Sequence, residues 1–136
     1  MVLRPETRAR ARALQLLYAW EVQDRPPLAD VAVGLAGGKD ARRWQSGVAL
    51  AERVAADVGR LDAEIARSAE HWRLERIGAV ERNILRLGTL ELLGEQTPPA
   101  VAIDEAVRLA RWFAGPKAPA FVNGVLDGLA RRLGRL

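Results

Sequence analysis

Apolar residues in this chain recur at intervals of three and four and never settle into a sustained alternation. That is the spacing of a helical stripe, not of a half-buried strand. Breakers divide the pattern at Arg25-Pro26-Pro27, Gly37-Gly38-Lys39-Asp40, Gly59, Gly94 to Pro99 and Gly115-Pro116. Between them the spacing predicts helices near 6–23, 28–36, 40–58, 62–71, 73–93, 99–114 and 118–134. Asp40 and Asp62 stand where N-caps are expected, and Thr97-Pro98-Pro99 reads as a stop and restart. Ala, Leu and Arg dominate while aromatics make up 5% of the 136 residues, a balance that favours helix over sheet. The expected fold is all-α, with about seven helices in one domain, 1–136. Two small three-helix-bundle-like subdomains, about 1–60 and about 61–136, are expected to share one compact core.

The residue inventory removes most chemistry. Without cysteine there are no disulfides, thiolate nucleophiles or cysteine metal sites. The single histidine, His71, lies between Glu70 and Trp72 and reads as a surface residue at a helix end. Ser46 and Ser68 lack the context of a nucleophile elbow, and no glycine-rich loop precedes a lysine at phosphate-binding spacing. The adjacent Asp104 and Glu105 diverge by about 100° on a helix and form no acid–base pair. The expectation is a chain that is not an enzyme and uses no metal or cofactor. No apolar run is long enough to cross a membrane, and no signal peptide is visible, so no membrane partner and a cytoplasmic location are expected.

Charge is unevenly spread. Residues 1–12 carry four Arg against Glu6, a net of +3, and residues 108–136 carry six basic residues against Asp127, a net of +5. The stretch between them is acidic, with eleven basic and fifteen acidic residues. Basic ends suit a phosphate-bearing partner, although an arginine-rich composition (19 Arg, two Lys) also solvates helix faces. On the first helix Ala9, Ala13, Leu16, Leu17 and Trp20 share one sector, with Arg8, Arg12, Gln15 and Gln23 opposite. Arg8 and Arg12 rise one turn apart, a spacing that lets two guanidiniums meet neighbouring phosphates. Arg4 and Arg10 add charge where cations oppose the helix dipole. A solvated polar face explains the same residues. Tyr18 lies at the edge between the sectors.

In the central helix Ile77, Val80, Ile84, Leu87 and Gly88 make the apolar stripe, and Arg82 and Arg86 fall on the opposite face. Glu81 and Glu91 project into or beside the stripe, so each needs a partner. An internal arginine suits Glu91, and a protein partner is a live alternative for Glu81. Further on, Asp104 and Arg108 are spaced for an i,i+4 ion pair. In the last helix Ala120, Gly124 and Gly128 recur every fourth residue, a smooth strip that another helix could approach closely, and Asn123 could bond a neighbouring loop. Lys117 and Phe121 at the start of this helix could hold a phosphate and stack a base.

Three stretches carry a family resemblance: Arg8-Ala-Arg-Ala-Arg-Ala-Leu-Gln-Leu-Leu-Tyr-Ala-Trp20, Ile77-Gly-Ala-Val-Glu-Arg-Asn-Ile-Leu-Arg86 with Leu90-Glu91-Leu92, and Pro99 to Arg111 followed by Phe121-Val-Asn-Gly-Val-Leu-Asp127. In this order they resemble the NusB family of transcription antitermination factors. The resemblance implies an all-helical fold and pairing with the small-subunit ribosomal protein that acts as NusE. It also implies binding of boxA RNA in nascent ribosomal RNA transcripts, and work with other Nus factors in an RNA polymerase antitermination complex. The implied RNA surface is Arg8, Arg10 and Arg12, extended by Lys117 to Phe121; the implied partner positions are Tyr18, Glu75 and Glu81. Homodimers that hide the RNA surface occur in the family, so a homodimer stays open. The chain departs from the family pattern at Glu6 and Thr7, where further arginines are common, and at Lys117, where an acidic residue is frequent. The rival readings are the NusB-like domain of certain ribosomal RNA methyltransferases and a helical interaction module that binds no RNA. Because the chain ends at Leu136 without a catalytic domain, and its first helix begins basic, the free-standing factor is the expectation carried forward.

Overall fold

Seven α-helices and one 3-10 turn organise the described residues, 3–37, 41–69 and 72–136 of a computed structural model, and no strand occurs among them. The helices are α1 (Pro5–Val22), α2 (Leu28–Ala36), α3 (Ala41–Ala56), α4 (Val58–Ser68), α5 (Ala79–Leu93), α6 (Pro99–Phe113) and α7 (Ala118–Arg132), with the 3-10 turn at Leu74–Arg76. The all-helical expectation holds, with corrections at particular places. The helix expected from residue 73 starts at Ala79, because Ile77 and Gly78 are extended at its entrance (ψ 132° and 151°). Gly59 interrupts nothing; it lies in the exposed first turn of α4, and the break falls at Asp57. Asp62 lies inside α4 and caps no helix. Asp40 and His71 lie outside the described residues.

The chain divides into two compact units, Met1–Ala56 and Asp57–Leu136. In the first, α1 packs along α3, and α2 packs against both. Leu14, Leu16, Leu17 and Trp20 of α1 are buried, as are Leu28 and Val31 of α2 and Ala51 and Val54 of α3. Ahead of α2 the chain passes through two left-handed residues, Asp24 and Arg25 (φ 66° and 61°). Such a conformation costs about 1–2 kcal/mol per residue. Here the Arg25 guanidinium stacks over the Trp20 ring, 4.7 Å from its centroid, and the Arg25 amide donates to the Trp20 carbonyl at 2.7 Å.

In the second unit α5 is the central element, packed by α4, α6 and α7. Every residue from Asn83 to Leu90 is buried, as is Leu92. Over this stretch the helix offers no face to water, so Arg86, placed opposite the apolar stripe by spacing, is enclosed. Arg86 is 2% exposed. Its guanidinium makes a two-pronged contact with Asp62 of α4, Nε to Oδ1 at 2.7 Å and Nη2 to Oδ2 at 2.9 Å. Its third arm donates to Asn83 Oδ1 at 3.0 Å, and Asn83 in turn donates to the Ala79 carbonyl at 2.8 Å. A buried charge survives only with such complete pairing, which is the planar fork's particular strength.

The C-terminus is held by a second arginine. Gly134 takes a left-handed φ of 72°, which allows the Arg135 amide to donate back to the Ala130 carbonyl at 2.8 Å. The Arg135 side chain then gathers the carbonyls of Leu92 (2.6 Å), Gly94 and Thr97 (2.9 Å), fastening the α5–α6 connection.

The Arg86 network makes an asymmetric prediction. Asp62→Ala strands a guanidinium in the interior and should destabilise the chain by about 3–5 kcal/mol. Arg86→Met should cost less, because the Asp62 side chain is 24% exposed and can turn to water. Urea unfolding of both variants checks the order; a larger loss for Arg86→Met would mean that Asp62 is the group in greater need of pairing.

Candidate nucleic-acid and partner interface

The α1 arginines are not equivalent. Arg8 is exposed, and no ion pair involves it among the described residues. Arg10 is half-buried and already engaged within the fold. Arg12 is also half-buried: its Nη1 donates to the Arg43 carbonyl at 2.6 Å, and its guanidinium lies 6.0 Å from the Trp44 ring centroid. The outward face expected for Arg8 and Arg12 together is therefore split. Arg8 is available, whereas Arg12 has spent part of its donor capacity on α3.

Gly47 explains why α1 and α3 come so close. A Cβ built there would stand 2.8 Å from the Arg12 Cβ and 3.3 Å from the Ala13 amide nitrogen, both fixed parts of α1. Gly47→Ala should therefore push α1 from α3 and destabilise by about 1–3 kcal/mol, although alanine is the better helix former by about 1 kcal/mol. Thermal unfolding checks this: a gain in Tm would show that the helices can separate without loss.

The C-terminal basic excess is mostly spent inside the fold. Arg131 pairs with Asp127 at 2.9 Å. Arg132 pairs with Glu64 at 2.9 Å and donates to Ser68 Oγ at 3.0 and 3.2 Å. Arg135 holds the connection described above. Arg108 contacts Glu105 at 3.5 Å, correcting the expected pairing with Asp104, and lies 5.8 Å from the Trp112 ring. Arg111 and Lys117 are exposed, with no ion pair among the described residues.

Lys117 occupies the N-cap position of α7, and its carbonyl accepts the Phe121 amide at 3.3 Å. Phe121 is half-buried against Trp72, with ring centroids 5.4 Å apart and planes at 70°. Trp72 itself is 57% exposed. Periodicity gave no reason to single it out, because it lies outside the regular helices. Beside the pair, Ala120, Gly124 and Gly128 are exposed, and a Cβ at either glycine would meet nothing within 4 Å. Thus no described residue of the second unit packs on the small-residue strip at its glycines; the close approach occurs at Gly88, whose built Cβ would stand 2.6 Å from Leu126 Cδ1. Asn123 is likewise exposed, and no loop contact engages it among the described residues.

Of the residues expected at a partner surface, Tyr18 on α1 is 44% exposed. Glu75 is exposed in the 3-10 turn. Glu81 is the third residue of α5, half-buried, where a carboxylate suits the helix dipole. Its carboxylate folds back over Gly78, into space that a side chain at 78 would occupy. The segment carrying Glu75 and Glu81 is braced by Arg82, which donates to the carbonyls of Leu74 (3.2 Å) and Ile77. Arg82, placed opposite the apolar stripe by spacing, is thus a half-buried brace. Glu91 is half-buried and engaged within the fold. Tyr18 belongs to the first unit, and Glu75 and Glu81 belong to the second.

Comparison with known proteins bears on what these residues serve. A family model described as the NusB family matches residues 7–131. The transcription antitermination protein NusB of Solibacter usitatus is 40% identical over 131 residues, covering 93% of this chain and 88% of that protein. Among solved structures, T. maritima NusB superposes with a TM-score of 0.81 at 29% identity, covering 96% of this chain and 93% of that one. A crystal structure of the antitermination factors NusB and NusE in complex with dsRNA gives a TM-score of 0.78 at 29% identity, covering 96% and 99%.

Proposed function

The chain belongs to the NusB family, and on that premise we propose that it is a transcription antitermination factor that binds RNA together with NusE. The observation carrying this reading is the likeness, along nearly its whole length, to a chain solved with NusB, NusE and dsRNA. The RNA is a boxA-type element of nascent ribosomal transcripts, and the assembly acts with other Nus factors on RNA polymerase in the cytoplasm. Arg8, Lys117 and Phe121 meet the RNA, with Arg10 and Arg12 contributing through the donors their internal contacts leave over. Tyr18, Glu75 and Glu81 meet NusE. No bond is made or broken by this chain: its role is to hold two partners.

The test is a titration of a fluorescent boxA-type RNA with the chain, with and without NusE, at two salt concentrations. Binding that tightens with NusE supports the reading; NusE binding without any RNA binding would leave a protein-interaction module. Each phosphate contact on a single strand contributes about 0.7 to the slope of log affinity against log salt. Arg8→Ala should lower that slope by about this amount. Arg12→Ala should lower it less, with a drop in Tm instead.

Glu81→Ala should cost only about 0.3–1 kcal/mol of stability, the loss of a carboxylate at a helix N-terminus, because no ion pair of the fold involves Glu81 among the described residues. It should weaken NusE binding by roughly tenfold or more. Calorimetric titration with NusE reads this directly, and unchanged affinity would remove Glu81 from the partner surface.

A further inference from the structure

In the second unit Trp72, Phe121, Ala120, Gly124 and Ser68 line a cleft of about 300 Å³. We infer that this cleft receives a single unstacked nucleobase of the bound RNA, with Trp72 as the stacking surface; the inference rests on the RNA-binding reading above.

Four features of the cleft point to a flat, hydrogen-bonding ring on a phosphate chain. First, the two aromatic rings stand at 70° to one another. They form a corner and not a slot, so a base stacks on one ring while its edge abuts the other, both favoured arrangements for aromatic groups. Second, the floor is Gly124, where a Cβ would meet nothing within 4 Å; a planar ring can lie close to the helix backbone there. Third, the cleft has one oriented polar group. Ser68 Oγ already accepts two bonds from Arg132, at 3.2 and 3.0 Å, which uses both lone pairs and leaves its O–H to donate to an acceptor on a base edge. Fourth, cations lie at both ends in sequence: exposed Arg73 follows Trp72, and exposed Lys117 precedes Phe121 by one turn, while no carboxylate is among the described residues that line the cleft. Stacking against aromatic side chains beside a basic track is how single-stranded RNA is held.

A duplex offers no free base face, so the cleft contributes only to unpaired RNA. The experiment uses the full chain with a fluorescein-labelled boxA-type oligonucleotide, single-stranded or annealed to its complement, at two salt concentrations. Trp72→Ala should weaken single-strand binding roughly five- to hundredfold without changing the salt slope, and Trp72→Phe should restore most of it. Gly124→Leu, which fills the floor from an exposed helix position, should give a comparable loss with no fall in Tm. Duplex binding should be unaffected by all three. Wild-type affinity in both Trp72→Ala and Gly124→Leu would overturn the inference while leaving the RNA-binding reading in place. Equal losses on single strand and duplex would overturn it too, as would a Gly124→Leu protein that binds RNA normally but loses NusE. If the unmodified chain binds no RNA with or without NusE, the inference and the reading beneath it fall together.

Discussion

A guanidinium enclosed by protein dictates much of the second unit. Arg86 cannot reach water, so its charge must be answered inside, and Asp62 and Asn83 answer it with three hydrogen bonds. The two bonds to Asp62 tie α4 to the central helix α5, and the one to Asn83 fixes the guanidinium within α5. Against α5 the last helix packs at Gly88, where the missing side chain admits Leu126. The position of α7 places Phe121 beside Trp72, and the brace from Arg82 sets the turn that carries Glu75 toward α5. An ion pair of this kind contributes little net stability compared with a well-packed apolar substitute. Its consequence is specificity: with the third arm held by Asn83, few registers of α4 on α5 bring both Asp62 oxygens to the other two.

Helix number and type were readable because a three-and-four spacing has one structural meaning over a long run. What spacing could not show was the fate of polar residues at outward-looking positions. Arg86 and Arg82 fall opposite the apolar stripe in projection, yet α5 is enclosed from Asn83 to Leu90, and the acid that answers Arg86 lies 24 residues earlier. A periodic pattern carries no information about such distant pairing. Asp62 misled for the same reason, since a carboxylate near a helix start reads as a cap unless its partner is known. Glycines in helices were ambiguous in the same way. Gly47 and Gly88 are required by close approach, whereas Gly124 and Gly128 face open space, and nothing local distinguishes the two kinds. The missing signal in each case is tertiary.

Gross charge proved a poor guide to charge that a ligand could meet. Four of the six basic residues between 108 and 136 are held by carboxylates or carbonyls of the fold. On α1, Arg12 is drawn toward Arg43 and Trp44. The segment that gave the largest positive excess in sequence thus offers Arg111 and Lys117 as its exposed, unpaired cations among the described residues.

That economy shapes how RNA recognition would have to work on the proposed reading. Counterion release scales with the number of phosphates neutralised, so the arginines committed inside the fold add little to it, and exposed cations such as Arg4, Arg8, Arg73, Arg76, Arg111 and Lys117 set that contribution. Two further terms do not grow with net charge. Stacking on exposed aromatic rings is one, and it selects unpaired over paired RNA. A second protein that adds its own contacts to the same RNA is the other, because joining two modest surfaces raises avidity without altering either. On the proposed reading, selectivity for an unpaired element presented with a partner therefore comes from stacking and avidity, because phosphate contacts carry no preference of that kind.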